Sequence, residues 1–368
     1  MNTPSETVER VLDLAAAIQQ VPSPTHAETQ RASFVMERFQ DEGLVDIQRD
    51  EVGNVLARLP GKRSASPVVI AAHLDSVFPL ETDLKLSQAP NRLAGPGIGD
   101  NALGLAGLFG LVWELRRRES QLPGDVWLVG TAGEEGLGDL VGMRQIVKRF
   151  GAGPTAYLIL EGMGLGQVFH RGLGVRRYEI TSQTRGGHSW IDYGSPSAVH
   201  HLAALVTRLA SIPLPVQPRT TLNVGVIQGG TSVNTIAAQA RLELDLRSVR
   251  VDALDWLIEQ VEKTVFAANL SGVEVKARVI GDRPAGEIAA EHPLVQLAQR
   301  CLLELDIEPH LIIGSTDANI PLSCGYPAIC IGLTSGGRAH TTDEFIYTQP
   351  LAKGLEQLVQ IVSRVWQR

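Results

Sequence analysis

Cysteine is scarce in this chain, with three in 368 residues. Cys301, Cys324 and Cys330 are too few and too badly spaced for a disulfide framework or a thiolate zinc site. They read as small buried hydrophobes in a reducing compartment. Long apolar runs are also lacking. The longest near-apolar stretch, Ala102 to Trp113, carries Gly104, Gly107 and Gly110 and is too short to span a bilayer. Basic clusters are rare: the net charge is −7, and no Lys/Arg run exceeds Arg116-Arg117-Arg118. That run falls at an expected helix end, where positive side chains suit the helix dipole, so no nucleic-acid partner is expected. No Gly-x-Ser-x-Gly element is present, which excludes the usual serine-hydrolase elbow. Met1–Glu6 is polar and acidic, unlike a signal peptide. The remaining composition, 44% hydrophobic and 20% charged, is that of an ordinary globular protein. A cytoplasmic protein with neither membrane nor nucleic-acid partner is expected.

The length suggests two domains. Residues 5–20 and 27–42 have helical periodicity and are separated by Pro22-Ser23-Pro24, which breaks a helix. Strands and helices alternate to about residue 170, the pattern of a mostly parallel sheet. Residues 173–286 then read β-α-β-β-α-β, the ferredoxin-like order. Alternation resumes from Pro293. The expected fold is therefore α/β: a catalytic domain of residues 1–172 and 287–368, with an α+β domain inserted at 173–286.

Several apolar runs end in residues able to bind metal. Val126-Trp127-Leu128-Val129 leads to Gly133-Glu134-Glu135-Gly136. Pro67 to Ala72 ends in His73-Leu74-Asp75, Tyr157 to Leu160 ends in Glu161, and Pro327 to Leu333 leads to His340. Continuously apolar runs read as strands buried on both faces. In open α/β sheets the reactive crevice lies beyond the carboxyl ends of such strands. Tandem carboxylates there repel one another and are costly to desolvate unless a cation is present. Taken alone, Glu134-Glu135 reads as solvated surface; the other strand-end residues reverse that reading. Asp100, in Gly97-Ile98-Gly99-Asp100-Asn101, reads equally as a helix N-cap.

Together, His73, Asp100, Glu135, Glu161 and His340 supply two imidazoles and three carboxylates. A pair of zinc ions wants nitrogen and oxygen donors with a bridging carboxylate. Asp75 is placed to orient His73 through its second N–H. With Glu135 as a ligand, Glu134 is left as a base beside a water whose pKa the metal lowers from about 15.7 to roughly 7. A dinucleotide fingerprint at Gly97-x-Gly99-x-x-Ala102 fails for want of a preceding strand. A non-catalytic binding module is disfavoured by the joint presence of the base and every candidate ligand.

The ordered set His-x-Asp, Gly-x-x-Asp-Asn, Gly-Glu-Glu-Gly, Glu and a late His resembles the co-catalytic zinc peptidases and deacylases of the M20 clan, over nearly the whole chain. The resemblance implies His73 and Glu161 on one Zn2+, Glu135 and His340 on the other, Asp100 bridging, and Glu134 as general base. Co2+ or Mn2+ are alternative metals. It further implies that the inserted domain acts as a lid and mediates a homodimer. Within Arg185-Gly186-Gly187-His188-Ser189, His188 would help stabilise an oxyanion. Asn234 and Arg247 match positions linked to substrate contact, and an Arg fork suits a carboxylate. Thr235-Ile236-Ala237 departs from the Ile-Pro of many relatives. The implied reaction is amide hydrolysis in a short peptide or N-acyl amino acid. Glu161 inclines this to the carboxypeptidase and deacylase type, with a di- or tripeptide aminopeptidase as the alternative.

Overall fold

The computed structural model describes residues 6–367, so the reading of Met1–Ser5 lies outside the described residues. The chain divides into two compact units, one of Met1–Gly172 with Glu287–Arg368 and one of Leu173–Gly286.

In the first unit, four neighbouring strands run parallel in the order Val126–Thr131, Val68–His73, Ala156–Met163, Ala328–Thr334. An antiparallel hairpin, Val45–Arg49 with Val55–Leu59, extends one side. Gln167–Gly172 extends the other, antiparallel to Ala328–Thr334, with His310–Gly314 beside it. Val68–His73 and Ala328–Thr334 are buried along their whole lengths, which is why they read as unbroken apolar runs. Helix Leu103–Arg117 packs on the central strands and on helices Glu6–Gln19 and Leu351–Arg364. Its glycines serve close packing. A Cβ on Gly107 would lie 2.3 Å from a Leu333 methyl, so the contact offsets the roughly 1 kcal/mol that Gly costs a helix. Among the described residues, no helix is long and apolar enough to cross a membrane.

The second unit is an antiparallel sheet in the order Thr220–Gly229, Gln239–Ser248, Gly174–Thr184, Val273–Arg283. Helices Ala198–Ala210 and Val251–Phe266 pack against it. This is the ferredoxin-like arrangement. Along Gln239–Ser248, Leu242, Leu244 and Leu246 are buried, while Arg241, Glu243, Asp245 and Arg247 alternate with them. That period-two pattern gives the sheet one apolar and one ion-paired face.

Candidate metal centre and active site

The parallel register brings the expected ligands to one end of the sheet. His73 closes its strand in register with Thr131. The chain then turns through Gly133, at φ +67°, into Glu134 and Glu135. Glu161 lies in the last half of Ala156–Met163. His340 follows Ala328–Thr334 and has a left-handed backbone, φ +63°. That conformation costs a non-glycine residue about 1–2 kcal/mol and is found at functional sites held by their surroundings.

Asp100 does not cap the helix that follows it. The N-cap position is Ala102, with no side-chain capping bond, and Asp100 and Asn101 have non-helical backbone angles. Asp100 Oδ1 is instead 3.0 Å from His73 Nε2, and Oδ2 is 3.1 Å from His340 Nε2. Glu161 Oε2 lies 3.7 Å from His73 Nε2, and Glu135 Oε1 lies 3.3 Å from His340 Nε2. Two donor groups result, His73–Asp100–Glu161 and Asp100–Glu135–His340, each with its donor atoms within 4.8 Å of one another. They share Asp100, with one oxygen turned to each histidine. A third group, His73–Glu134–Glu135, meets the same distance limit. Proximity alone therefore does not separate ligand from base at the Glu-Glu pair. Glu134 is in neither group that contains Asp100.

This cluster attracts positive charge. Burial works against a charged His73, but the Asp100, Asp75 and Glu161 carboxylates raise its pKa well above the usual imidazole value. Hydrogen bonds to Asp100 and Glu135 push His340 up to about 10. Burial lifts Glu161 to about 7 against the pull of His73, with the charges of Asp100 and Glu135 adding to the rise. A site that stabilises cationic protons on its histidines stabilises a divalent cation by the same Coulombic attraction. The nitrogen and oxygen donors, without thiolate, fit zinc, cobalt or manganese.

Other carboxylates hold the turns that carry the ligands. Asp75 is fully buried; its Oδ1 accepts from Glu134 N–H at 3.0 Å and its Oδ2 from Glu135 N–H at 2.8 Å. The closer contact of His73 Nδ1 is with the Asp75 main-chain oxygen, at 3.0 Å, against 3.4 Å to the carboxylate. Asp75 thus meets His73 most closely through its backbone, while its carboxylate holds the Glu-Glu turn and accepts from the Thr25 hydroxyl at 2.9 Å. Glu28 accepts from Gly133 N–H at 3.0 Å. Asn101 flanks Glu161 on both sides: its amide donates to Leu160 O at 2.8 Å, and its Oδ1 accepts from Gly162 N–H at 3.0 Å.

Comparison with known proteins gives the family. Residues 69–364 match the model of peptidase family M20/M25/M40. The chain belongs to that family. An acetylornithine deacetylase of Edwardsiella ictaluri is 26% identical, over 83% of this chain and 82% of its own length. A tripeptidase of Staphylococcus aureus shares the fold with a TM-score of 0.83 at 20% identity, over 98% and 99% of the two chains. A dinuclear metal-binding M20 peptidase of Bacillus subtilis does so with a TM-score of 0.71 at 15% identity, over 98% of each chain. As an M20 protein, the chain is a metal-dependent amidohydrolase that cleaves amide bonds in small substrates.

The three remaining sequence candidates of this M20 chain lie in its second unit, described by itself. A short ribbon pairs Gly187–His188 with Thr235–Ile236, which brings His188 beside Asn234. Ser189 N–H donates to Asn234 O at 3.0 Å. His188 is exposed; its Nδ1 accepts from the N–H groups of Trp190 and Ile191 at 3.2 and 3.4 Å. Those bonds select the neutral tautomer with the proton on Nε2. Arg247 is not grouped with them. It lies on the ion-paired sheet face, with Nε 2.7 Å from Asp245 Oδ2.

Sequence reasoning missed Glu28, Asn101 and a further buried carboxylate, Glu344. All act on backbone amides or carbonyls of distant segments, which residue type does not announce. Asn101, directly after a candidate ligand, was the one with a signal to follow.

Proposed function

We propose that two divalent ions, Zn2+ in the working enzyme, are held by His73 with Glu161 and by Glu135 with His340, and that Asp100 bridges them. The observation that carries this reading is the pair of donor groups sharing Asp100, one oxygen to each histidine. Bound there, such ions polarise an amide carbonyl and make water more acidic.

Glu134 is the general base. It takes a proton from the attacking water as the oxygen bonds to the carbonyl carbon, and returns it to the amine nitrogen as the C–N bond breaks. Its main-chain N–H is pinned by Asp75, which limits the positions open to its carboxylate. His188, with Nε2 protonated, donates to the carbonyl oxygen as charge develops. Asn234 and Arg247 are the substrate contacts; Arg247 retains donors beyond those used by Asp245, since a guanidinium carries five N–H groups.

The substrate is an N-acyl amino acid or short peptide, cleaved in the deacylase or carboxypeptidase manner; the deacetylase relative supports the acyl form. The second unit serves as lid and dimer contact. Its strand Thr220–Gly229 is a sheet edge exposed over its last residues, a surface that a second copy can extend by strand pairing. The compartment is the cytoplasm, which suits three free cysteines.

The test pairs metal analysis with a panel of di- and tripeptides and N-acyl amino acids. Two bound ions per chain and hydrolysis of acylated amino acids are expected. Cleavage confined to peptides with a free N-terminus would replace the deacylase reading with an aminopeptidase one. Light scattering of the purified chain checks the dimer.

A further inference from the structure

Outside the five candidate ligands, the side chain of Glu344 joins two of the turns that carry them. Glu344 is fully buried, on the loop that bears His340. Its main-chain N–H donates to Thr341 O at 3.1 Å, which folds that loop back on itself. Its Oε1 accepts from Gly99 N–H at 2.7 Å and from Asp100 N–H at 2.8 Å. Its main-chain oxygen accepts from Gly95 N–H at 2.8 Å. The Asp100 turn is therefore gripped at both ends by one residue that lies 244 positions away.

Stability does not call for a carboxylate here. Glu344 Oε2 is buried without a hydrogen-bond partner among the described residues, and such an oxygen costs free energy. A buried polar residue kept under those terms beside a reactive centre points to a role in that centre. What Glu344 does control is direction. Two consecutive amides held on one oxygen fix the peptide plane leading into Asp100, and so the path of its side chain. Asp100 must turn one oxygen toward His73 and the other toward His340, and small rotations would favour one at the expense of the other.

We propose that Glu344 is a positioning residue that fixes the Gly99–Asp100 backbone, so that Asp100 serves both halves of the metal centre at once. The proposal rests on the two-ion reading above. The test uses the full-length chain loaded with Zn2+ and titrated against a competing chelator, with kcat and KM measured alongside. Glu344→Ala should weaken retention of both ions by about 10–100-fold, the usual effect of losing an outer support of a ligand, and should lower kcat more than it raises KM. Glu344→Gln keeps the acceptor oxygen and should recover most of both quantities. An alanine variant that holds both ions as tightly as the wild type would overturn the proposal. Should that variant fail to fold, Glu344→Asp takes its place: it retracts the acceptor by one methylene, and undiminished metal retention would be equally fatal. A wild-type chain that retains no ion would overturn the two-ion reading itself, and this is read before any variant is compared.

Discussion

The turns at the sheet end of the first unit and the His188 ribbon of the second hold their functional residues in opposite ways. In the first, the ligand-bearing turns are bound to segments far away in sequence, although His340 itself is exposed: Asp75 to Glu134 and Glu135, Glu28 to Gly133, Glu344 to Asp100. In the second, His188 is exposed; its strand pairs with Thr235–Ile236, but the bonds of its ring run only to Trp190 and Ile191, within three residues. The difference suits the chemistry proposed for each. A pair of metal ions needs donors fixed before binding, and long-range bonds to the turns that carry them supply that. A single donor to a developing oxyanion needs the right tautomer, and a local turn suffices for that.

Removing the proposed shared ligand should break the first arrangement most severely. Asp100→Ala should lose both ions and reduce hydrolysis to background; mass-spectrometric metal analysis of the purified variant checks it. A variant that still carries two ions would remove Asp100 as a bridge. Glu134→Gln probes the same arrangement without touching a proposed ligand. It should keep its metal and lose about 10²–10⁴-fold in kcat, and unchanged hydrolysis would end the base assignment. His188→Ala tests the second arrangement. Turnover should fall by about 10²–10³-fold while metal content and melting temperature stay put; a normal rate would exclude the oxyanion role.

The smallest effect separates a buried carboxylate with a structural job from those of the centre. Burial raises the pKa of Glu114, but bonds from Arg117, Thr7 and Arg118 outweigh it and bring the group down to about 2 from 4.5. A depressed folded-state pKa contributes stability above the unfolded value, and that contribution is lost as pH falls. Glu114→Gln should therefore melt earlier than wild type at neutral pH, by about 1.5–3 kcal/mol, the worth of hydrogen bonds to a charged group. The gap should close between about pH 4.5 and 2. Melting curves at stepped pH measure it, and a gap that persists at pH 2 would assign the effect to packing. Metal content and kcat at neutral pH should not move.

Much of this was legible in the sequence because it rests on residue type and period. Unbroken apolar runs such as Val68 to Ala72 marked the buried parallel strands, and the ligand types clustered after them. The β-α-β-β-α-β order of residues 173–286 was equally plain, since the Leu242, Leu244, Leu246 alternation is a local property. Asp100 was ambiguous, because a carboxylate before a helix suits a cap as well as a metal. Its φ/ψ removed the cap reading, and its two histidine neighbours leave the metal reading as the proposal. Arg247 shows the opposite limit: nothing in Asp245-Leu246-Arg247 revealed that the arginine is already engaged with the aspartate two residues before it.

By itself, then, the sequence determined the layers of the fold, the identity of the candidate donors and the side of the sheet on which they lie, since these follow from burial and strand direction. The division of the donors around Asp100 came only as what the family resemblance implied; the tertiary structure alone set their distances and decided which distant carboxylates hold their turns. Those outcomes depend on backbone amides brought together across as many as 245 positions. An amide N–H is the same in every residue but proline, so no pattern of side chains can announce which one a buried Glu344 will meet.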